Sequence, residues 1–112
     1  MITQITTDIK RAADALRANQ VIGIPTETVY GLASNALSPE AVSNIFSVKQ
    51  RPTSNPLILH FANLEQADSY IMEFHGELKV LYDHFSPGPI TFLVPKTASV
   101  PNEITSGSSL VA

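Results

Sequence analysis

The chain contains no cysteine. That excludes a disulfide scaffold and a thiolate metal site. It has three histidines, His60, His75 and His84, and their scatter lacks the spacing of zinc ligands. No apolar stretch approaches the length of a membrane span. The opening residues Ile2 to Asp8 have no basic region leading into an apolar run, so no signal peptide is expected. These absences make a cytoplasmic protein with no membrane association the expectation. Basic residues are in deficit: the net charge is -3 and the pI is near 5.4. The surface as a whole is therefore not built to hold nucleic acid, and any such binding requires a local patch. Walker-type phosphate loops, nucleophile-elbow patterns, internal repeats and low-complexity tracts are also missing.

What remains is the composition of a globular domain. The 112 residues fall within the size range of one domain, and 44% are hydrophobic, enough for a packed core. One stretch departs from the rest. Lys49-Gln50-Arg51-Pro52-Thr53-Ser54-Asn55-Pro56-Leu57-Ile58-Leu59-His60 sets two cations one residue apart, then a proline-bounded turn, then an apolar run ending in histidine. No acidic residue occurs between Glu40 and Glu65. An uncompensated cationic loop in an acidic chain points to an anion site, for phosphate or carboxylate.

Periodicity gives the elements. Thr7 or Asp8 can cap a first helix carrying the apolar stripe Ile9, Ala12, Ala13 and Leu16, with Asn19 as its stop. Val21 to Ile24 reads as a buried strand, ended by Pro25. Ser38-Pro39-Glu40 starts a second helix, with Val42, Ile45 and Phe46 buried and Lys49 at its C-terminal end. Leu57 to Leu59 reads as another strand. Leu64, Ala67 and Ile71 mark a short helix; Leu78, Leu81, Tyr82 and Phe85 mark a longer one stopped before Pro87. Ile90 to Val94 reads as a strand, Pro95 to Ser109 as a loop, and Leu110 to Ala112 as the beginning of a strand. Strands alternating with helices predict an α/β sheet. The sheet is thin for four helices, which reads as part of a domain.

Lys49 and Arg51 are the first candidates for chemistry, because Arg offers a planar fork of donors and Lys a mobile point charge. A lysine at a helix C-terminus is also what the macrodipole favours with no ligand at all. Asn55 can give its amide to an oxygen, or simply serve the turn before Pro56. His60 can hold a polar substrate group, or be a hydrogen-bonded histidine at a sheet end. Thr26, Thr28 and Tyr30 alternate, so an extended segment lays all three on one face just past a strand's carboxyl end. The alternative for them is a hydroxyl-rich turn.

Taken together, Pro25-Thr26-Glu27-Thr28-Val29-Tyr30-Gly31-Leu32, then Lys49-x-Arg51-Pro52-x-x-Asn55-Pro56-Leu57-x-x-His60, then Pro87-Gly88-Pro89-x-Thr91 closely resembles the YrdC-like family. The resemblance implies an α/β fold, a twisted mixed sheet with flanking helices around a positively charged cavity. It also implies an activity, that of an L-threonylcarbamoyladenylate synthase. Such enzymes condense L-threonine, bicarbonate and ATP into threonylcarbamoyl-AMP, releasing pyrophosphate, with Mg2+ accompanying the nucleotide. A threonylcarbamoyl transferase complex then modifies tRNA. By motif position, Lys49 and Arg51 look like the phosphate-side catalytic cations and Asn55 like a further nucleotide contact. Thr28 and His60 look like the threonine pocket, with Tyr30 and Thr26 in its wall. The family pattern continues with an arginine-proline segment and a Ser-x-Asn motif that lie beyond Ala112. The expectation is therefore that residues 1–112 are the N-terminal part of a YrdC-like domain, inactive by themselves. A YrdC-like paralogue that binds double-stranded RNA, tRNA or a nucleotide without synthesis is the alternative. A carbamoyl-transfer protein of hydrogenase maturation fits less well, since its acylphosphatase and zinc-finger regions are not here.

Overall fold

Asp8 starts the first helix in the computed structural model, which describes residues 2–112. Its carboxylate accepts from the backbone N–H of Lys10 at 2.9 Å and of Arg11 at 3.3 Å, satisfying donors that the first turn leaves free. Helix α1 (Ile9–Arg17) follows. Asn19 then takes a left-handed φ of 60°, and the N–H groups of Asn19 and Gln20 close the helix on the carbonyls of Leu16 and Ala15, each at 3.0 Å. Leu16, Ala12 and Ala13 are half-buried, as the stripe predicts, but Ile9 is 84% exposed. The helix leans on a three-residue strand about 10 Å long and is itself about 13 Å long, so its first turn overhangs.

That strand is β1 (Ile22–Ile24), paired antiparallel with β2 (Gly31–Ala33), with Ile22 opposite Ala33 and Ile24 opposite Gly31. The segment between them is a hairpin connection and not an extended run. The chain bends at Glu27, Thr28 and Val29. The Thr26 hydroxyl donates to the Val29 carbonyl and accepts from the Thr28 N–H at 3.3 Å. A threonine hydroxyl that captures nearby backbone groups offers them an alternative to a sheet ladder. The single-face stripe of Thr26, Thr28 and Tyr30 expected of an extended segment is corrected accordingly.

Ser38 caps helix α2 (Pro39–Lys49) by accepting from the Ala41 N–H at 3.3 Å. Val42, Ile45 and Phe46 are buried as expected, together with Ala41. Gln50 ends the helix in the left-handed region at φ 51°. Asn63 caps the short α3 (Leu64–Ala67), its side chain accepting from Gln66 N–H at 2.8 Å. Helix α4 (Glu77–Phe85) stops before Pro87, as the sequence requires. Tyr82 on α4 meets Phe74, and Phe74 meets Phe92, both edge to face with centroids 5.8 and 5.3 Å apart.

The last third departs most from expectation. The strand expected at Ile90 to Val94 is narrowed and shifted to β3 (Val94–Pro95), paired antiparallel with β4 (Leu110–Val111). The region read as a loop contains α5 (Asn102–Thr105). It also supplies Val100 and Ile104, each 2% exposed, to a core shared with Val42, Phe46, Val94 and Val111. Four helical residues are too few to show a helical period, so sequence pattern does not reveal them. Leu57 to Leu59 joins no ladder: the Leu57 N–H donates to the Ile104 carbonyl at 2.8 Å and the Leu59 N–H to the Ala112 carbonyl at 2.9 Å.

The class is α/β, as expected. Its named strands form two short antiparallel pairs, and no parallel pair occurs among the described residues. Among those residues no helix is long and apolar enough to cross a membrane.

Candidate functional site

The acid-free loop is built by the end of α2. Gln50 turns the chain, and the Arg51 N–H returns to the Phe46 carbonyl at 2.9 Å. Arg51 then closes the loop with its side chain. Its Nη2 donates to the Pro56 carbonyl at 2.9 Å, and its Nε points at the Asn55 carbonyl at 3.5 Å. Inside this ring the Asn55 N–H donates to the Pro52 carbonyl at 3.0 Å. From outside, the Ser106 hydroxyl donates to the Thr53 carbonyl at 2.6 Å.

The electrostatics follow from what is missing nearby. The ion pairs among the described residues are Lys10–Asp14, Arg17–Asp14 and Lys79–Asp83, on α1 and α4. Lys49, exposed at the end of α2, is in none of them, and neither is Arg51. Both cations thus keep their charge uncompensated by protein carboxylates. The Nη1 of Arg51 donates to no protein atom among the described residues, so that side of the fork is available to an anion.

Two open clefts flank His60. One, of about 380 Å³, is lined by His60 with Glu27, Thr91 and Phe92. The other, of about 610 Å³, is lined by His60 with Thr26, Gly31 and Asn35. Ile58, Leu59 and Phe61 belong to both walls. His60 is exposed, lines both clefts, and its ring makes no hydrogen bond among the described residues. The Thr26 and Thr28 hydroxyls lie 3.5 Å apart.

Of the residues singled out from sequence, the fold brings Thr26 and His60 to one cleft, and joins Arg51 and Asn55 in one loop beside Lys49. Thr28 and Tyr30 line neither cleft: the Thr28 hydroxyl is linked to the second cleft only by its 3.5 Å approach to Thr26, and Tyr30 is 78% exposed. Lys49, Arg51 and Asn55 also lie outside both cleft linings. The bend at 27–29 takes Glu27 to the first cleft, where it is the acidic residue of the lining. Asn35 gave no sequence signal beyond polarity. Its side chain reaches the Asn19 cap, donating from Nδ2 to Oδ1 at 3.3 Å, and so ties the end of α1 to the second cleft. Thr91 stands in the Pro-Gly-Pro-x-Thr motif but carried no assigned role. Among the described residues no group of three or more His, Cys, Asp or Glu converges as a metal cage.

A family model described as telomere recombination, covering the Sua5, YciO and YrdC proteins, matches residues 14–112. The threonylcarbamoyl-AMP synthase of Pyrococcus abyssi is 45% identical over 104 residues, which are 93% of this chain and 31% of that protein. The Bacillus subtilis enzyme of the same name is 40% identical over 105 residues, 93% of this chain and 30% of its own. That of Cellvibrio japonicus is 36% identical, over 93% of this chain and 55% of its own. The chain therefore spans about a third to a half of the length of these relatives. The crystal structure of P. abyssi Sua5 complexed with L-threonine superposes with a TM-score of 0.88 at 45% identity, covering 92% of this chain and 30% of that one. Escherichia coli YciO superposes with a TM-score of 0.77 at 23% identity, over 92% of this chain and 50% of its own, a likeness of fold alone. The family model takes in the threonine-rich hairpin, the cationic loop and the α5 region together, and by that match the chain belongs to the Sua5/YciO/YrdC family.

Proposed function

We propose that this chain forms part of an L-threonylcarbamoyladenylate synthase, a nucleotidyltransferase that joins L-threonine, bicarbonate and ATP. The observation that carries this reading is the 45% identity to the P. abyssi synthase across 93% of the chain. The likeness to a Sua5 structure complexed with L-threonine supports the substrate. In this proposal Lys49 and Arg51 neutralise the phosphates of ATP, and Asn55 adds a hydrogen bond to the nucleotide. Thr28 and His60 hold the threonine, with Thr26 and Tyr30 as its wall. Magnesium enters on the phosphates and offsets their charge. Bicarbonate is a further anion drawn to the same acid-free loop.

The chemistry needs no protein nucleophile. Adenylyl transfer is accelerated chiefly by holding the reacting groups in line and by stabilising charge that develops on phosphate oxygens. A guanidinium already fixed to its own loop suits that task, because little side-chain freedom remains to be lost on binding. The product threonylcarbamoyl group is destined for tRNA through a threonylcarbamoyl transferase complex, in the cytoplasm. The 112 residues alone, spanning 31% of the P. abyssi relative, are proposed to be inactive.

The test is release of pyrophosphate from ATP by the full-length gene product, with threonine and bicarbonate each omitted in turn. Release that requires both is the expected outcome. A folded protein with no such release overturns the reading in favour of a nucleotide- or RNA-binding paralogue.

A further inference from the structure

We infer that Ser106 is a positioning residue for the cationic loop: its side chain reaches across from the end of α5 and fixes the shape in which Lys49, Arg51 and Asn55 meet an anion. The inference rests on the proposed nucleotide role of that loop and adds a residue to it that no motif marks.

The loop has an internal brace and an external one. Internally, Arg51 Nη2 donates to the Pro56 carbonyl at 2.9 Å. Externally, the Ser106 hydroxyl donates to the Thr53 carbonyl at 2.6 Å, linking positions 53 residues apart in sequence. A second link runs beside it, from the Leu57 N–H to the Ile104 carbonyl at 2.8 Å. The element carrying Ser106 is firmly held: Ile104 and Thr105 are buried, and the Thr105 hydroxyl donates to the Ser108 carbonyl at 2.8 Å. The loop itself is exposed from Pro52 to Pro56. An exposed loop hung between a helix end and a buried anchor depends on such links for its geometry.

The backbone at Ser106 adds a second argument. Its φ of 53° lies in the left-handed region, where glycine is the residue without strain. Glycine follows immediately at 107, yet position 106 carries a side chain, and that side chain holds the loop. A serine here costs backbone strain and returns a hydroxyl aimed at Thr53.

The conformation also supplies a clean experiment on the full-length protein. Ser106→Gly removes the hydroxyl while relieving the backbone, so global unfolding temperature is expected to stay level or rise. Ser106→Asn tolerates a positive φ and restores a side-chain donor. Amide hydrogen exchange is read at Asn55 and Leu57, and binding is measured separately for inorganic pyrophosphate and for L-threonine. For Ser106→Gly the expected result is faster exchange at both amides and pyrophosphate binding weakened by about three- to tenfold, the range one net hydrogen bond carries. Threonine binding stays unchanged, and Ser106→Asn recovers part of the loss. Unchanged exchange and unchanged pyrophosphate binding in Ser106→Gly overturn the inference. So does an equal fall in both ligands with a lowered melting temperature, which marks a merely structural role. If the wild-type protein binds neither pyrophosphate nor ATP, the synthase reading fails instead, and the exchange rates still decide whether the hydroxyl holds the loop.

Discussion

The Arg51 guanidinium donates to the Pro56 carbonyl at 2.9 Å, closing the turn between α2 and the apolar run that leads to His60. One side chain thus both shapes the loop and carries its charge. The two roles are chemically separable, because a lysine keeps the charge but loses the fork.

Arg51→Ala in the full-length protein is expected to raise the barrier for pyrophosphate release by about 2–4 kcal/mol, the scale of a lost charge-assisted contact in a transition state. Arg51→Lys is expected to recover only a minor part of it. Lys10→Ala and Lys79→Ala remove exposed pairs with Asp14 and Asp83 on helices away from the loop, and each should change activity by less than ~0.5 kcal/mol. Measured kcat/KM for the four variants decides, and equal small effects at Arg51, Lys10 and Lys79 would remove the phosphate-clamp argument.

Thr26 and Thr28 should separate into a structural and a binding hydroxyl. Thr26 Oγ1 holds the Val29 carbonyl and the Thr28 N–H, so Thr26→Val loses turn hydrogen bonds and is expected to destabilise the fold by about 1 kcal/mol. Among the described residues, the hydrogen bonding of Thr28 Oγ1 is limited to the Thr26 hydroxyl, at 3.5 Å. Thr28→Val is therefore expected to leave the thermal melt within about a degree or two, while threonine affinity falls several-fold. Melts and threonine titrations on both variants test this; a Thr28→Val melt as depressed as that of Thr26→Val contradicts it.

His60→Ala is expected to raise the threonine requirement more than the ATP requirement. His60 lines both clefts, whereas Lys49 and Arg51 line neither. Steady-state kinetics with each substrate varied provides the comparison, and a selective rise in the ATP constant speaks against the assignment.

Val100 is 2% exposed within the core that joins α2 to α5, and Val48 on the outer face of α2 is 64% exposed. Val100→Ala is expected to cost about 2 kcal/mol through the cavity it leaves, and Val48→Ala less than ~0.5 kcal/mol. Denaturant unfolding of both variants measures the difference. Similar midpoints would show that the segment around Val100 is not part of the core.

The sequence by itself determined the features whose physics is local. Asp8 and Ser38 cap their helices because a side-chain oxygen needs only the N–H groups two or three residues ahead. Asn19 stops α1 because its own backbone accepts a left-handed turn. The acid-free character of the Lys49–His60 stretch is a matter of composition, and among the described residues Lys49 and Arg51 accordingly form no ion pair. Tertiary structure decided the rest. Whether Thr26 to Tyr30 extends or bends depends on β1 finding β2, since pairing Ile24 with Gly31 forces the intervening residues to reverse direction. Four residues of α5 are helical because Ile104 is buried against distant partners, a long-range gain that no short window of sequence displays. The Ser106 hydroxyl found Thr53 for the same reason: contact between residues far apart in the chain is fixed by which surfaces bury each other, and that is a property of the whole fold.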